Sequence, residues 1–226
     1  MRIHTESRGL LDRLPAADRA ELERRGTRRR YRAGAPLFHE GDPSDWVAVV
    51  LGGRVKVSAV AGDGKEVVMA VCSSGDVLGE LSAIDGLSRS ATATAVDTVE
   101  ALVVPVDGFR GFLGASPTAS LLLLQSIAGR LRDADRREVE YTALDSMSRV
   151  ATRLVELAER FGVPDRQGGV EIRLPITQDE LAGWTGCSRE AVGKALQTLR
   201  AGGWVRTGRR SIVVVDSEGL RSRARV

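Results

Sequence analysis

The 226-residue sequence predicts an α+β protein with a β-rich N-terminal half and a helical C-terminal half. Three observations support this fold class. Short β-branched runs, separated by glycine turns, fill the chain from about Thr27 to Pro105, and Pro117–Ser146 has apolar residues at helical spacing without an internal proline. Beyond it, Ile176–Val215 contains two short amphipathic helices and a β-hairpin. The length suffices for two domains of ordinary size.

The N-terminal half is predicted to be an antiparallel sandwich or barrel. Glycine turns such as Gly52-Gly53 and Gly62-Asp63-Gly64 separate its strands. We expect clear strands at Trp46–Leu51, Arg54–Val60, Val67–Cys72, Ala91–Ala95 and Val99–Val104. Many short strands with regular turns are typical of these architectures. The segment Arg24–Arg32 holds six arginines in nine positions, and we interpret it as a solvated turn rather than a nucleic-acid contact.

Pro117–Ser146 is predicted to be one long helix, because Ser116-Pro117 is a typical helix entry. Its apolar residues follow steps of three and four positions, at Leu124, Ile127, Leu131, Ala134 and Tyr141. Glu138 lies seven residues after Leu131 and therefore weakens the apolar stripe. Such a helix either packs into the core of its own chain or pairs with a second copy.

The C-terminal helix pair has clear start and stop signals. Thr177 is predicted to cap the first helix, with Glu180 completing a Ser/Thr-x-x-Glu capping box. Gly186 permits a tight turn, and Ser188 can cap the second helix. Gly202-Gly203 ends that helix. Two β-branched strands are then predicted at Trp204–Arg206 and Ser211–Val215. The basic turn Thr207–Arg210 joins them.

The second helix of the pair is predicted to read DNA in the major groove, because long polar side chains cluster near its start. These outward residues are Arg189, Glu190, Lys194 and Gln197. Arg189 can donate a bidentate pair to guanine O6 and N7, and Glu190 can accept from cytosine N4. Residues 147–226 carry 14 Lys and Arg against 9 Asp and Glu, although the net charge of the whole chain is only +3. This local excess suits phosphate neutralisation.

The run GCSREAVGKAL, followed by a glycine-ended helix and RSIVVV, resembles the DNA-binding end of the cyclic-AMP receptor protein and fumarate-nitrate regulator (CRP/FNR) family of bacterial transcription regulators. The resemblance implies a winged helix-turn-helix in which Arg189, Glu190 and Lys194 read a TGTGA-like half-site. Many relatives carry arginine where Lys194 stands, and lysine lacks the planar fork, so we expect weaker discrimination there. The predicted DNA-contacting residues are Thr177, Ser188, Arg189, Glu190, Lys194, Gln197, Arg209 and Arg210.

The run FHEGDPSDWVAVVLGGRVKV resembles the cyclic-nucleotide-binding β-roll, a jelly-roll of antiparallel strands, so the resemblance extends over nearly the whole chain. It implies a β-roll with an N-terminal helix in residues 1–115, a dimerisation helix in residues 116–146, and the winged helix-turn-helix in residues 147–226. Because a single recognition helix reads few base pairs, we expect a homodimer on palindromic double-stranded DNA. RNA polymerase is a further expected partner.

Two short segments are predicted to hold an anionic phosphate: Gly79-Glu80-Leu81-Ser82 and Arg89-Ser90-Ala91. Gly79 can start a helical turn with free amides, Arg89 can supply the charge, and Glu80 can accept from a ribose hydroxyl. Both segments are similar to the phosphate-binding cassette of the family. The alternative is a surface turn in an empty roll, stabilised by a Glu80–Arg89 ion pair.

The resemblance also implies that the long helix closes over the nucleotide base. Alignment on Pro117 and Leu131 puts Ala134-Asp135 where cyclic-AMP-binding relatives carry threonine and then serine or asparagine. Ala134 cannot form that hydrogen bond. Asp135 can accept from adenine or from guanine N1–H and N2–H, but we prefer its pairing with Arg132 or Arg136 on the helix surface.

The expected effector is a cyclic nucleotide, with cyclic AMP ahead of cyclic GMP. The predicted ligand-binding residues are Gly79, Glu80, Leu81, Ser82, Arg89, Ser90, Ala91, Arg130, Ala134 and Asp135. Two alternatives stay open. One is a ligand-independent DNA-binding regulator whose roll is an empty scaffold or a docking surface for RNA polymerase, and the other is a regulatory module for a separate enzyme.

Other chemistries lack the residues they need. The sequence has two cysteines, Cys72 and Cys187, and two histidines, His4 and His39, so we expect no metal site, iron–sulfur cluster or haem. It has no recognisable enzyme motif. No apolar run approaches membrane-spanning length, and the first residues do not resemble a signal peptide. These features predict a cytoplasmic protein without a membrane partner.

Overall fold

The computed structural model describes residues 9–62, 64–208 and 211–224, and they form two compact units. Among these residues, one unit falls within Ser7–Val60 and Val68–Arg132. The other falls within Ala61–Val67 and Asp133–Val226. The predicted α+β class is confirmed, because the first unit is built mainly of sheets and the second mainly of helices.

The first unit contains two four-stranded antiparallel sheets with short helices around them. Its helices are α1 (Leu10–Arg13), α2 (Ala16–Arg24), α3 (Glu80–Asp85), α4 (Val106–Ala115) and the start of α5 (Pro117–Ala143). Its strands are β1 (Thr27–Tyr31), β2 (Pro36–Phe38), β3 (Trp46–Gly52), β4 (Val55–Val60), most of β5 (Glu66–Cys72), β6 (Val77–Leu78), β7 (Thr92–Ala95) and β8 (Val99–Pro105). The strand orders are β1-β8-β3-β6 and β2-β7-β4-β5, which confirms the predicted β-roll.

Strand β3 explains why one apolar run of the sequence does not alternate. Val47 and Val49 pack against helical residues such as Phe109, whereas Ala48 and Val50 join a second core cluster between the sheets. All four are fully buried. A strand covered on both faces favours a continuous run of small β-branched and apolar residues.

The prediction of a turn over Arg24–Arg32 is wrong, although most of its arginines are exposed as expected. Arg24 ends α2, and Arg28–Arg30 lie on β1, which pairs antiparallel with β8 from Thr27–Val103 to Tyr31–Val99. β1 is an edge strand, and its first four residues are exposed. An edge strand tolerates charged side chains on both faces, so no alternation of apolar residues marks it.

The long helix α5 ends at Ala143, three residues before the predicted end at Ser146. Asp145 begins the next helix instead, because its carboxylate accepts from the Ser148 amide at 2.7 Å as an N-cap.

Within the described ranges, no single helix is long and apolar enough to span a membrane. Helices α4 and α5 reach that length and hydropathy only together, and a bend of 111° separates them.

The second unit is a small helical domain with a four-stranded sheet. It contains the end of α5, α6 (Ser146–Phe161), α7 (Gln178–Thr185), α8 (Arg189–Ala201) and α9 (Ser217–Ala224). The sheet order is β11-β12-β10-β9, formed by β9 (Gly162–Pro164), β10 (Val170–Ile172), β11 (Val205–Gly208) and β12 (Ser211–Val214). Leu154, Leu181, Leu199 and Leu220 are buried at its centre. The predicted helix pair and hairpin are both present, but Thr207 and Gly208, predicted in the turn, belong to β11 because they pair with Ile212 and Ser211.

Candidate functional sites

Arg89 is the centre of the polar site in the first unit. Its side chain is buried, and its guanidinium carbon lies 4.3 Å from the Phe38 ring centroid and 4.9 Å from that of Trp46. Nη1 donates to the Gly79 carbonyl at 3.1 Å, and Nη2 donates to the Trp46 carbonyl. Nε is buried without a hydrogen-bond partner among the residues described. A cation withdrawn from water in this way favours an anionic partner.

Burial is the main electrostatic influence on Arg89, and it lowers the pKa of the guanidinium below its usual value. The carboxylates of Asp45, Glu80 and Asp42 oppose this effect. An arginine nevertheless stays protonated across the physiological range. The site therefore presents a fixed positive charge in poorly hydrated surroundings.

Both the backbone conformation at position 79 and the nearby Arg89 side chain require glycine. Its φ of 78° lies in the left-handed region, which favours glycine. A Cβ atom built at this position would lie 1.9 Å from Arg89 Nη1. The close approach lets Arg89 bond to the Gly79 carbonyl just where α3 begins, as predicted for the start of a short helical turn.

Glu80 is buried and forms an ion pair with Arg130 of α5. The alternative Glu80–Arg89 ion pair is not found in the described part of the chain, because Arg89 bonds to carbonyls and stacks on aromatic rings instead. The predicted candidate Arg130 therefore lies beside the cassette.

The remaining cassette residues have mixed environments. Ser82 is buried, and its hydroxyl donates to the Ser88 carbonyl at 3.1 Å, which stabilises the loop after α3. Ala91 is buried, whereas Leu81 and Ser90 are exposed. Sequence reasoning missed the two aromatic residues, Phe38 and Trp46, that enclose Arg89. They lie on β2 and β3, far from Arg89 along the chain, so no spacing in the sequence indicates their contact with it.

Ala134 and Asp135 are both exposed on α5, one turn beyond Arg130. The preferred interpretation of Asp135 is wrong, since no ion pair with Arg132 or Arg136 occurs among the described residues. Arg136 pairs instead with three other carboxylates, those of Asp133, Glu140 and Glu156. Asp133 and Glu140 lie three and four residues from Arg136 on α5, the spacing at which helical side chains meet, and Glu156 reaches Arg136 from α6.

The helix pair of the second unit has the predicted caps. Thr177 Oγ1 accepts from the Glu180 amide at 3.1 Å, and the Glu180 carboxylate accepts from the Thr177 amide at 2.9 Å, so the capping box is complete. Gly186 ends α7 at a φ of 60°. Ser188 Oγ then accepts from the Ala191 amide at 3.1 Å and starts α8.

Helix α8 buries one face and exposes the other. Val192, Leu196 and Leu199 pack inward. The outward side chains are those of Arg189, Glu190, Lys194 and Gln197, all of them exposed as expected. Ser188 is exposed and Thr177 is half-buried at the helix starts. Arg209 and Arg210 lie outside the described residues, but the strands on either side pair at Gly208–Ser211 and Thr207–Ile212.

This arrangement can enter a groove of DNA. A helix with long polar side chains at its exposed N-terminal end, followed by a hairpin, is the geometry of a winged helix-turn-helix.

Across residues 9–62, 64–208 and 211–224, no group of three His, Cys, Asp or Glu side chains could hold a metal ion.

Two domain families match the chain. Residues 28–116 match the cyclic nucleotide-binding domain, and residues 148–223 match the Crp-like helix-turn-helix domain. The chain is 35% identical over 192 residues to the CRP-like cAMP-activated global transcriptional regulator of Mycobacterium tuberculosis, covering 85% of both chains. It is 30% identical to the cyclic AMP receptor protein of Thermus thermophilus, over 84% of both.

Solved structures agree in fold. The c-di-GMP responsive regulator CLP of Xanthomonas campestris superposes with a TM-score of 0.80 at 24% identity, covering 88% of this chain and 99% of CLP. A CRP/FNR-family regulator of Thermus thermophilus gives a TM-score of 0.75 at 28% identity, covering 88% and 98% of the two chains. The two matched domains correspond to the two units of the structure, residues 28–116 mainly to the first and residues 148–223 to the second. The chain belongs to the CRP/FNR family and is a DNA-binding transcription regulator.

Proposed function

We propose that this regulator is a homodimer whose binding to palindromic DNA is controlled by a cyclic nucleotide. The observation that supports this most is the buried Arg89 guanidinium, whose Nε lacks a hydrogen-bond partner among the described residues. The guanidinium lies against Gly79, where a Cβ atom would clash with it. The proposed site of action is the cytoplasm, where the DNA lies, with RNA polymerase as a further partner. No role as an enzyme is proposed.

In this proposal the cassette binds the ribose phosphate. Arg89 gives charge-assisted hydrogen bonds to the phosphate, with the Ser90 hydroxyl and the Ala91 amide as further donors. Glu80 accepts from a ribose hydroxyl. Because Glu80 also holds Arg130, nucleotide binding would change a contact made by α5 itself. This gives the ligand a direct influence on the long helix.

The base is read by weaker determinants. Ala134 offers no hydrogen-bonding side chain, so an adenine would lose a contact there. Asp135 has two carboxylate oxygens that suit guanine N1–H and N2–H, and it forms no ion pair within the described residues. We propose cyclic AMP as the first candidate, because the relative from Mycobacterium tuberculosis is named as cAMP-activated. Asp135 makes cyclic GMP the second candidate.

The proposed dimer forms along α5. Leu121, Leu124 and Leu131 are 57%, 61% and 61% exposed on this helix. Leu124 and Leu131 share one heptad position, and a second copy of the helix would bury them. Glu138 follows at the same position and limits the apolar stripe to the first part of the helix.

Replacing Leu124 with Glu is expected to dissociate the dimer, because a carboxylate would have to be buried in the helix pair. Sedimentation should give the wild type at about twice the 24.2 kDa chain mass and the variant at one chain mass. Val60→Glu is the matched control, since Val60 is 62% exposed on β4 and should tolerate the charge. A monomeric wild type would contradict the proposed dimer.

Ligand control is tested by fluorescence anisotropy on a duplex carrying two inverted TGTGA half-sites. We expect cyclic AMP or cyclic GMP to tighten binding by about 5-fold to 150-fold, the usual range of allosteric coupling. Adenosine 5′-monophosphate, which lacks the cyclic phosphate, serves as the control. Equal affinity with and without every nucleotide would favour the ligand-independent regulator instead.

A further inference from the structure

Asp179 places a carboxylate beside the arginine at the start of the recognition helix. It lies in the first turn of α7, and Arg189 is the first residue of α8. The Asp179 Oδ2 atom is 3.5 Å from Arg189 Nη1, and the two side chains are 66% and 69% exposed. This acidic group therefore shares the surface that carries the outward residues of α8.

We infer that Asp179 is a specificity-determining residue, which restrains Arg189 from contacting phosphates and so weakens binding to non-cognate DNA. The inference rests on the proposed role of Arg189 in reading a base. It adds a residue whose effect is to discriminate against wrong sequences, as specific interfaces commonly do.

The geometry allows Asp179 to hold Arg189 without blocking its base contact. A guanidinium has five N–H donors, and the 3.5 Å contact with Asp179 is made by Nη1. The remaining donors can still approach guanine O6 and N7. Since arginine is rich in rotamers, a partner that narrows them reduces the ordering cost of that contact.

The negative charge of Asp179 accounts for the discrimination between random sequence and the operator. Binding to arbitrary DNA depends on the number of cations that neutralise phosphates and release counterions. A nearby carboxylate cancels part of the Arg189 charge, so Arg189 contributes less to such binding. At a cognate site a directional bond to guanine compensates for that loss. Asp179 therefore lowers affinity for random sequence more than affinity for the operator.

The test compares Asp179→Asn with Glu218→Gln, an equal charge change at an exposed position of α9. Each full-length variant is titrated with the TGTGA duplex and with a scrambled duplex, between about 50 and 200 mM salt. Thermal unfolding confirms that each variant is folded. Asp179→Glu retains the charge, and Arg189→Ala and the double variant complete a mutant cycle.

We expect Asp179→Asn to bind the scrambled duplex about 3-fold to 10-fold more tightly than the wild type. The slope of the logarithm of its binding constant against the logarithm of salt concentration should steepen by up to about 1 per protomer. Glu218→Gln and Asp179→Glu should change the affinity for the scrambled duplex by less than about 2-fold. The gain in affinity from Asp179→Asn should vanish when Arg189 is replaced by alanine. Equal gains for Asp179→Asn and Glu218→Gln, or a gain that persists in full without Arg189, would overturn the inference. A wild type that binds both duplexes equally would instead contradict the proposed half-site.

Discussion

Replacing Arg189 with alanine is expected to weaken binding to the TGTGA duplex by about 1–3 kcal/mol per half-site, because it removes a bidentate contact with guanine. Arg189 begins α8, and its side chain is 69% exposed, so the substitution should leave the domain core intact. Substituted duplexes should show relaxed preference at one base pair of each half-site. Affinity for a scrambled duplex should fall much less.

The control for Arg189 is Arg200→Ala. Arg200 is exposed in the last turn of the same helix and lies far from its N-terminal end. This variant should retain the base preference of the wild type. Unchanged operator affinity and unchanged base preference in Arg189→Ala would refute the assignment of Arg189 to base reading.

Replacing Arg89 with glutamine is expected to remove about half or more of the stabilisation that a cyclic nucleotide gives the protein. A ligand at about 100 times its Kd stabilises the native state by about 2.7 kcal/mol. Loss of the charged donor should cost at least about 1.5 kcal/mol of nucleotide binding, or about a 10-fold rise in Kd. Thermal unfolding with cyclic AMP and with cyclic GMP measures this loss.

Arg54→Gln is the matched variant for Arg89. Arg54 is a half-buried cation of the first unit, but unlike Arg89 it pairs with a carboxylate, that of Asp97 at 2.7 Å, and it lies outside the cassette. It should retain the nucleotide-dependent shift, even if its unliganded melting temperature falls. A full shift in Arg89→Gln would show that the nucleotide phosphate does not bind this guanidinium.

Local rules predicted the helix pair well. The capping box at Thr177, the glycine turn at Gly186 and the cap at Ser188 all depend on contacts within four residues along the chain, so the sequence contains all the information. The five predicted strands are confirmed to within one residue at each end. Alternation, β-branched residues and glycine turns mark them directly.

Non-local contacts decided what the sequence did not reveal. Strand β1 forms because its backbone pairs with β8, about 70 residues away along the chain, and its arginines hide the strand pattern in the sequence. The partner of Glu80 is Arg130, fifty residues further on, and Phe38 and Trp46 enclose Arg89 from separate strands. Asp179 approaches Arg189 only because α7 and α8 pack together. None of these pairs has a spacing that predicts contact.

The central claim is that nucleotide binding at Arg89 and DNA binding at α8 are thermodynamically linked. Linkage requires each ligand to tighten the other by the same factor. The most direct test is a calorimetric titration of the wild-type protein with cyclic AMP and with cyclic GMP, with and without saturating TGTGA duplex. We predict that the duplex lowers the Kd of the effective nucleotide by the factor by which that nucleotide tightens DNA binding. The same nucleotide Kd with and without duplex would contradict the linkage.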